Sequence, residues 1–259
     1  MPAQPLLALR GVSKRFAAVQ ALADIDLEIR AGEVVALMGD NAAGKSTLVK
    51  VISGVGPADK GVIEWQGSPV QIRRPQDAQA LGISTVYQDL AMCGNLDVVG
   101  NLFLGREIHR FGFLDEVEME RRTRELLKTL SIRIPDVRVP LATLSGGQRQ
   151  VVAITRSFLG APRLVLLDEP TASLGIEQTS QLLDLVEELR DQGLGVLLIS
   201  HNMGDIKAVA DRVAVLRLGR NNGVFDVTTT SQEQIISSIT GAADNAVAQR
   251  TTRPEEAWP

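Results

Sequence analysis

Gly39-Asp40-Asn41-Ala42-Ala43-Gly44-Lys45-Ser46, followed by Thr47, carries the spacing G-x-x-x-x-G-K-[ST]. These residue types in this order suit one task, which is holding the phosphates of a nucleotide. Glycines let backbone amides converge on an anion, and the start of the next helix adds the equivalent of about half a positive charge. Lys45 brings a full charge to the terminal phosphates, and Ser46 offers a hydroxyl to Mg2+. A plain glycine turn between strand and helix would need neither side chain. A second run, Leu164-Val165-Leu166-Leu167-Asp168-Glu169, reads as an apolar strand ending in two carboxylates. Set beside the first strand, it delivers Asp168 to the metal and leaves Glu169 to face the nucleophile. Mg2+ retains several waters in an octahedral oxygen shell, so Ser46, Asp168 and phosphate oxygens form a sufficient set. Alone, such a strand often ends in nothing more than a charged turn; its pairing with the phosphate loop gives it meaning.

The elements that must position these residues are legible as short apolar runs, each followed by a helical pattern. Val34–Met38 leads through the glycine turn into Lys45–Ile52. Ile83–Tyr87 follows a short helix at Gln76–Leu81, Leu164–Leu167 precedes a helix at Ile176–Asp191, and Val196–Ser200 precedes one near Asp205–Ala210, with Val213–Leu218 after it. Strands alternating with helices predict a largely parallel sheet covered on both faces. Residues 6–30 break the rhythm by alternating apolar and polar side chains; with Gly61–Trp65 and Val70–Ile72 they predict an antiparallel sheet. Residues 90–160 read as a helical subdomain inserted into the α/β core. In it Glu116–Leu130 sets Leu126, Leu127 and Leu130 beside Arg121, Arg122 and Arg124, the pattern of a surface helix with a solvated face. The stretch 242–259 is polar and aperiodic and reads as a flexible tail.

Composition narrows the function classes. The 259 residues carry 27 Lys+Arg against 31 Asp+Glu, so no basic excess exists to neutralise nucleic-acid phosphates. Aromatics make up 3%, too few for a base-stacking surface. The single cysteine, Cys93, allows no internal disulfide or zinc cluster and fits a reducing compartment. The start, Met1-Pro2-Ala3-Gln4-Pro5, lacks the features of a secretory signal. The apolar runs fall far short of the ~20 residues of a membrane helix, so membrane association is expected through a partner.

Leu144-Ser145-Gly146-Gly147-Gln148-Arg149-Gln150 resembles the signature of ATP-binding cassette (ABC) ATPases, and the other motifs stand in that family's order over residues 6 to 241. The resemblance implies one α/β domain over residues 1–241, a P-loop NTPase core with an antiparallel β subdomain and an inserted α-helical subdomain. It implies ATP and Mg2+ as cofactors. A serine hydroxyl, close-approach glycines and a helix from Gln148 to Leu159 make the signature a second anion site. By resemblance, Ser145, Gly147 and Gln148 close over the ATP of another copy, giving a head-to-tail homodimer. Gln88 resembles the glutamine that contacts Mg2+ or the attacking water, although a surface glutamine would otherwise be unremarked. His201 resembles the switch histidine near the γ-phosphate, with a structural histidine as the plainer reading. Phe16 resembles the aromatic that stacks on adenine, with a buried sheet phenylalanine as the alternative. Glu169, His201, Gln88 and Lys45 form the expected catalytic group, and Ser46, Gln88 and Asp168 the expected metal set.

Two residues depart from the family pattern. Ala42 stands where glycine is common; a positive φ there would cost about 1 kcal/mol or more, whereas a negative φ would be tolerated. Gly175 stands where the D-loop normally ends in aspartate. A glycine there, Gly39-Asp40-Asn41, and Asn95 to Glu107 are similar to ATPases of bacterial sugar importers of the ribose, xylose and fructose type. The resemblance therefore implies import of a monosaccharide, with permease subunits and a solute-binding protein as partners and a peripheral place on the cytoplasmic face of the plasma membrane. A soluble clamp acting on ribosomes or DNA is the alternative, and a P-loop small-molecule kinase a further one that leaves Ser145–Gln148 unexplained.

Overall fold

The computed structural model describes residues 4–88, 91–130, 132–172 and 174–241. Strands β1 (Leu7–Phe16) and β2 (Val19–Ile29) form an antiparallel pair with Leu7 opposite Ile29 and Leu9 opposite Leu27, as their alternation predicts. Next come β3 (Val34–Met38), helix α1 (Lys45–Ile52), and the hairpin of β4 (Lys60–Trp65) and β5 (Ser68–Val70). The first sheet runs β2-β1-β4-β5. Helix α2 (Pro75–Ala80) leads into β6 (Ile83–Val86). The central segment holds α3 (Val98–Phe103), a small hairpin of β7 (His109–Arg110) and β8 (Phe113–Leu114), α4 (Glu116–Thr129) and α5 (Gly146–Ser157). The chain then returns through β9 (Leu164–Asp168), α6 (Ile176–Asp191), β10 (Gly195–Ile199), α7 (Met203–Val209), β11 (Arg212–Arg217), β12 (Arg220–Asp226) and α8 (Gln232–Thr240).

The main sheet runs β12-β11-β3-β10-β9-β6, parallel except for β12. Its order corrects one expectation: β9 does not lie beside β3, because β10 sits between them and pairs with both. Apolar runs buried on both faces carry no record of which neighbour they pair with, so the adjacency was not readable. The register brings Leu37, Ile199 and Asp168 to one level across β3, β10 and β9. The carboxyl ends of these strands therefore open on one edge of the sheet, where ligands of α/β proteins bind.

Alternate residues of each parallel strand feed two separate cores. Val35, Leu37, Leu166, Leu197 and Ile199 pack with Leu48 and Ile52 of α1 and with the antiparallel sheet. Val34, Ala36, Val165, Leu167, Val196 and Leu198 face the other way, onto Leu182, Leu185 and Leu189 of α6 and Ile206 of α7. The helical segment has its own core of Val98, Leu102, Phe103, Met119, Leu127, Leu141 and Val152. At its base the buried Asn101 amide accepts from the Cys93 amide and donates to the carbonyls of Cys93, Leu96 and Asp97, which fixes an irregular turn without secondary structure.

Three features differ from the sequence reading. The mainly helical segment 90–160 also contains a hairpin that the sequence reading lacks: Phe111 and Gly112, both with positive φ, close β7 onto β8. Helix α5 begins at Gly146 rather than Gln148, because Ser145 is its N-cap. Strand β12 and helix α8 were unforeseen; Arg220-Asn221-Asn222-Gly223 looks like a turn, yet it forms an edge strand on β11 through its backbone. The 242–259 stretch lies outside the described residues.

Candidate active site

The phosphate loop owes its shape to two glycines. Gly39 has φ 155°, and a Cβ on it would lie 2.3 Å from the Leu216 carbonyl oxygen. Gly44 has φ 105°, with Leu22 Cδ2 and the Ala21 carbonyl oxygen 2.8 and 2.9 Å from the same position. No other residue fits either place. Ala42 adopts φ 63°, so the negative φ left open by the sequence is not taken. Lys45 folds back over the loop and donates from Nζ to the carbonyls of Gly39 and Asp40 at 2.7 and 3.0 Å. Asn41 donates its amide to the Asp40 carboxylate, and Ala43 donates to the Asp40 carbonyl. Ser46 is exposed, with no partner for its hydroxyl among the described residues, and Thr47 is half-buried behind it.

Asp168 closes β9 and is half-buried. Burial first, and the adjacent Glu169 charge second, push its carboxyl above the usual carboxylate range, while Lys45 and Lys50 pull it down. Such a carboxylate favours a nearby cation. A free hydroxyl and a desolvated carboxylate are oxygen donors that fit Mg2+, which completes its shell from phosphate and water.

Glu169 has φ 48° and donates its amide to the Ile199 carbonyl, which locks the turn after β9 against β10. A positive φ on a non-glycine residue costs about 1–3 kcal/mol and persists where surrounding structure over-determines it. Its consequence here is a contact that sequence spacing could not show: Glu169 Oε2 lies 3.2 Å from Nδ1 of His201. An Nδ1–H donates to the carboxylate and leaves Nε2 without a partner among the described residues. His201 follows β10, the strand between phosphate loop and carboxylates, so the corrected sheet order explains why it reaches Glu169. Beyond it, Thr171 donates to the buried Asp205 of α7 at 2.7 Å and pins the D-loop start.

Gln88 is exposed in a bend after β6. Just before it, Tyr87 donates its hydroxyl to Ser53 Oγ at 2.9 Å, tying this segment to the end of α1. Tyr87 was not singled out from sequence, since one tyrosine beside a glutamine carries no pattern. Phe16 ends β1 and is 49% exposed, with Lys14 Nζ 5.5 Å from its ring centroid. It is therefore not the buried sheet phenylalanine that was its alternative. Ser145 and Gln148 cap one another: Oγ of Ser145 accepts from the Gln148 amide, and Gln148 Oε1 accepts from the Ser145 amide. The two anion-binding segments have different neighbours within the chain. The phosphate loop packs on Ala21, Leu22, Leu216 and Gly219, whereas Gly147 packs on Gln178.

Comparison with known proteins agrees with this geometry. The ABC transporter family model matches residues 22–172. The chain is 46% identical over 238 residues to a xylose/arabinose import ATP-binding protein of Sulfolobus acidocaldarius, covering 92% of this chain and 95% of that one. It is 40% identical over 252 residues to a fructose import ATP-binding protein of Rhizobium meliloti, covering 94% and 97%. A ribose import ATP-binding protein of Rubrobacter xylanophilus is 40% identical over 98% of this chain, which spans 50% of that longer protein. In fold, an ATP-binding cassette of an ABC transporter in its ADP conformation superimposes with a TM-score of 0.80 at 22% identity, over 97% of this chain and 100% of the other. A dimeric bacterial cassette superimposes with a TM-score of 0.70 at 24% identity, over 85% and 98%. With a family match across the phosphate loop and both carboxylates, and relatives this similar along most of its length, the chain belongs to the ABC transporter family as one of its ATP-binding cassettes.

Proposed function

We propose that the chain is the ATP-hydrolysing subunit of a monosaccharide importer, acting as a homodimer beneath permease subunits that receive sugar from a solute-binding protein. The observation that carries the catalytic part is the convergence of the phosphate loop, His201 and the Asp168–Glu169 pair on the ends of β3, β10 and β9. The sugar-import part is supported by the relatives' names, which specify xylose or arabinose, fructose and ribose. Residues 1–241 form the ATPase domain, with about 90–160 as its helical subdomain. No described helix is long and apolar enough to cross a membrane, so the permease would hold the cassette at the cytoplasmic face.

In this reading the amides of residues 39–46 and Lys45 cradle the phosphates, while Phe16 stacks on adenine. Ser46, Asp168 and Gln88 would hold Mg2+, which when bound would supply positive charge to the phosphate oxygens. Glu169 orients and deprotonates the attacking water, and His201, fixed through Nδ1, directs Nε2 towards the γ-phosphate. Ser145, Gly147 and Gln148 of a second copy complete the charge stabilisation. To bind nucleotide, Lys45 would exchange the Gly39 and Asp40 carbonyls for phosphate oxygens.

The test is Glu169→Gln, which keeps the shape and removes the base. Hydrolysis should fall by about 100-fold or more, with ATP affinity held within about threefold. Undiminished turnover in this variant overturns the assignment. The homodimer predicts a hydrolysis rate that climbs faster than linearly with protein concentration; strict proportionality at all concentrations argues for a site complete in one copy. Sugar uptake into vesicles holding the co-purified permease tests the transport half.

A further inference from the structure

Gly146 and Gly147 stand side by side at the start of α5, yet their surroundings differ. A Cβ on Gly146 would meet nothing within 4 Å among the described residues. A Cβ on Gly147 would lie 2.4 Å from Cγ and 2.7 Å from Cβ of Gln178 in the first turn of α6. Of these, Cβ is held by the helix backbone and stays within 2.7 Å whatever the rotamer, so the collision is not relieved by moving the side-chain tip. Gly147 does not have a positive φ, so its backbone does not require glycine. What requires glycine is the seat for Gln178.

The other end of the same side chain meets a second glycine. Gln178 Oε1 lies 2.6 Å from the place a Cβ of Gly175 would take, and Gly175 is the N-cap of α6 at the end of the D-loop. Gly175 offers no side-chain cap. One half-buried glutamine therefore fills the space left by two glycines on two elements. Beside this contact a cavity of about 400 Å³ is lined by Leu130 and Ile134 before α5, Gln148 and Val151 of α5, and Gln181 and Asp184 of α6.

We infer that Gln178 is a positioning residue whose fit between Gly147 and Gly175 makes the signature start and the D-loop move as one unit. The inference rests on the reading of Ser145–Gln148 as the segment that closes over a second copy's nucleotide. The sequence resemblance implies a D-loop aspartate where this chain has Gly175; here the glutamine three residues on reaches both that position and the signature from within the same chain. A shift of the D-loop then displaces the α5 amino end, and with it the amides offered to the neighbouring copy's phosphate. Two demands can call for glycine at 147, close approach to an anion or room for this strut, and it is the strut that requires it here.

Suppression separates the two. The full chain is prepared as wild type, Gly147→Ala, Gln178→Ala and the double variant, and kcat, KM, binding of a fluorescent ATP analogue and melting temperature are measured for each. Gly147→Ala should lower kcat by about 100-fold, since a misplacement near 1 Å has that effect, while analogue binding to the chain's own phosphate loop stays within about twofold. Gln178→Ala alone should lower kcat by about threefold to tenfold with KM unchanged, because the strut is lost but nothing collides. Combining the changes should restore kcat to within about threefold of Gln178→Ala and recover the melting temperature lost in Gly147→Ala. A double variant as slow as Gly147→Ala, or a Gln178→Ala enzyme at the wild-type rate, overturns the positioning role. Wild-type protein that hydrolyses no ATP overturns the functional reading itself, and then the melting temperatures alone report whether the two residues collide.

Discussion

Two helices in this chain begin at glycine-rich anion sites, and they begin differently. Helix α1 starts from Gly44 in a left-handed conformation with no side-chain cap, so its first amides stay open. Helix α5 starts from Ser145, and Ser145 and Gln148 satisfy one another in a capping box. An uncapped start leaves a standing demand for an anion, at some cost to the empty protein. A self-capped start leaves the helix stable alone and gives the anion only the amides its cap does not use. The phosphate loop is thus built to take nucleotide within one copy, and the signature is built to wait for one brought by another. The supports differ too: α1 lies on a core shared by two sheets, while α5 straddles two cores, with Val152 in the helical one and Ala153 and Ile154 in the one beneath α6.

The sharpest way to break this comparison is at Lys45. Lys45→Ala removes the one positive charge in the loop and the clamp on the Gly39 and Asp40 carbonyls. ATP binding and hydrolysis should both fall by about 100-fold or more, measured by analogue fluorescence and phosphate release. Ser145→Ala should act on the other start alone. It removes a cap worth about 1 kcal/mol, lowering the melting temperature slightly, and it should reduce kcat while analogue binding by the isolated chain is unchanged. If Ser145→Ala weakened nucleotide binding as strongly as Lys45→Ala, the division of labour between the two starts would be wrong.

The parts of this site that sequence revealed are those carried by contiguous residues at strand ends. Residues 39–46, Asp168, Glu169 and His201 each stand where an apolar run stops, and that position alone suggests a ligand. What stayed hidden depends on pairing between distant segments. The insertion of β10 between β3 and β9 was invisible, and with it the contact of His201 with Glu169. Tyr87 and Gln178 were missed because their partners, Ser53 and Gly147, lie 34 and 31 positions away with no periodicity linking them. Helix α8 could have been found, since Ser231 and Gln234 form the same capping box as Ser145 and Gln148. The small β7–β8 hairpin could not, because its two-residue strands are too short for alternation to register.

A smaller and opposite effect is expected at Ala42. Its φ of 63° lies in the left-handed region, where a side chain costs about 1–2 kcal/mol relative to glycine. Ala42→Gly should raise the melting temperature by a few degrees and leave the hydrolysis rate within about twofold, since the backbone already has the needed shape. Glycine also widens the unfolded ensemble, which offsets part of the gain by about 0.4–1 kcal/mol. A lower melting temperature would mean that the alanine methyl makes a contact worth more than the strain it brings.

The gentlest lever is acid, and it should act on the helical side of the molecule. Hydrogen bonds from Arg121, and then Arg122, hold the Glu118 carboxyl down at about 2, and Arg138 and Arg124 lower Glu120 in the same way. A carboxylate whose folded pKa lies below its unfolded value stabilises the fold above the unfolded value. That contribution is lost as pH falls from the ordinary value of 4.5 through about 2. Because these groups lie on the exposed face of α4, solvent and salt screen the pairs, and the effect per pair is small. Glu118→Gln removes the titrating group without changing its size. The melting-temperature gap between wild type and Glu118→Gln should be widest near pH 6, narrow on titration to pH 3, and shrink further in high salt, with about 1 M screening nearly all of it. A gap that does not change with pH would show that Glu118 contributes through the packing of its stem, and that the helical half does not depend on surface charge in the way its small core suggests.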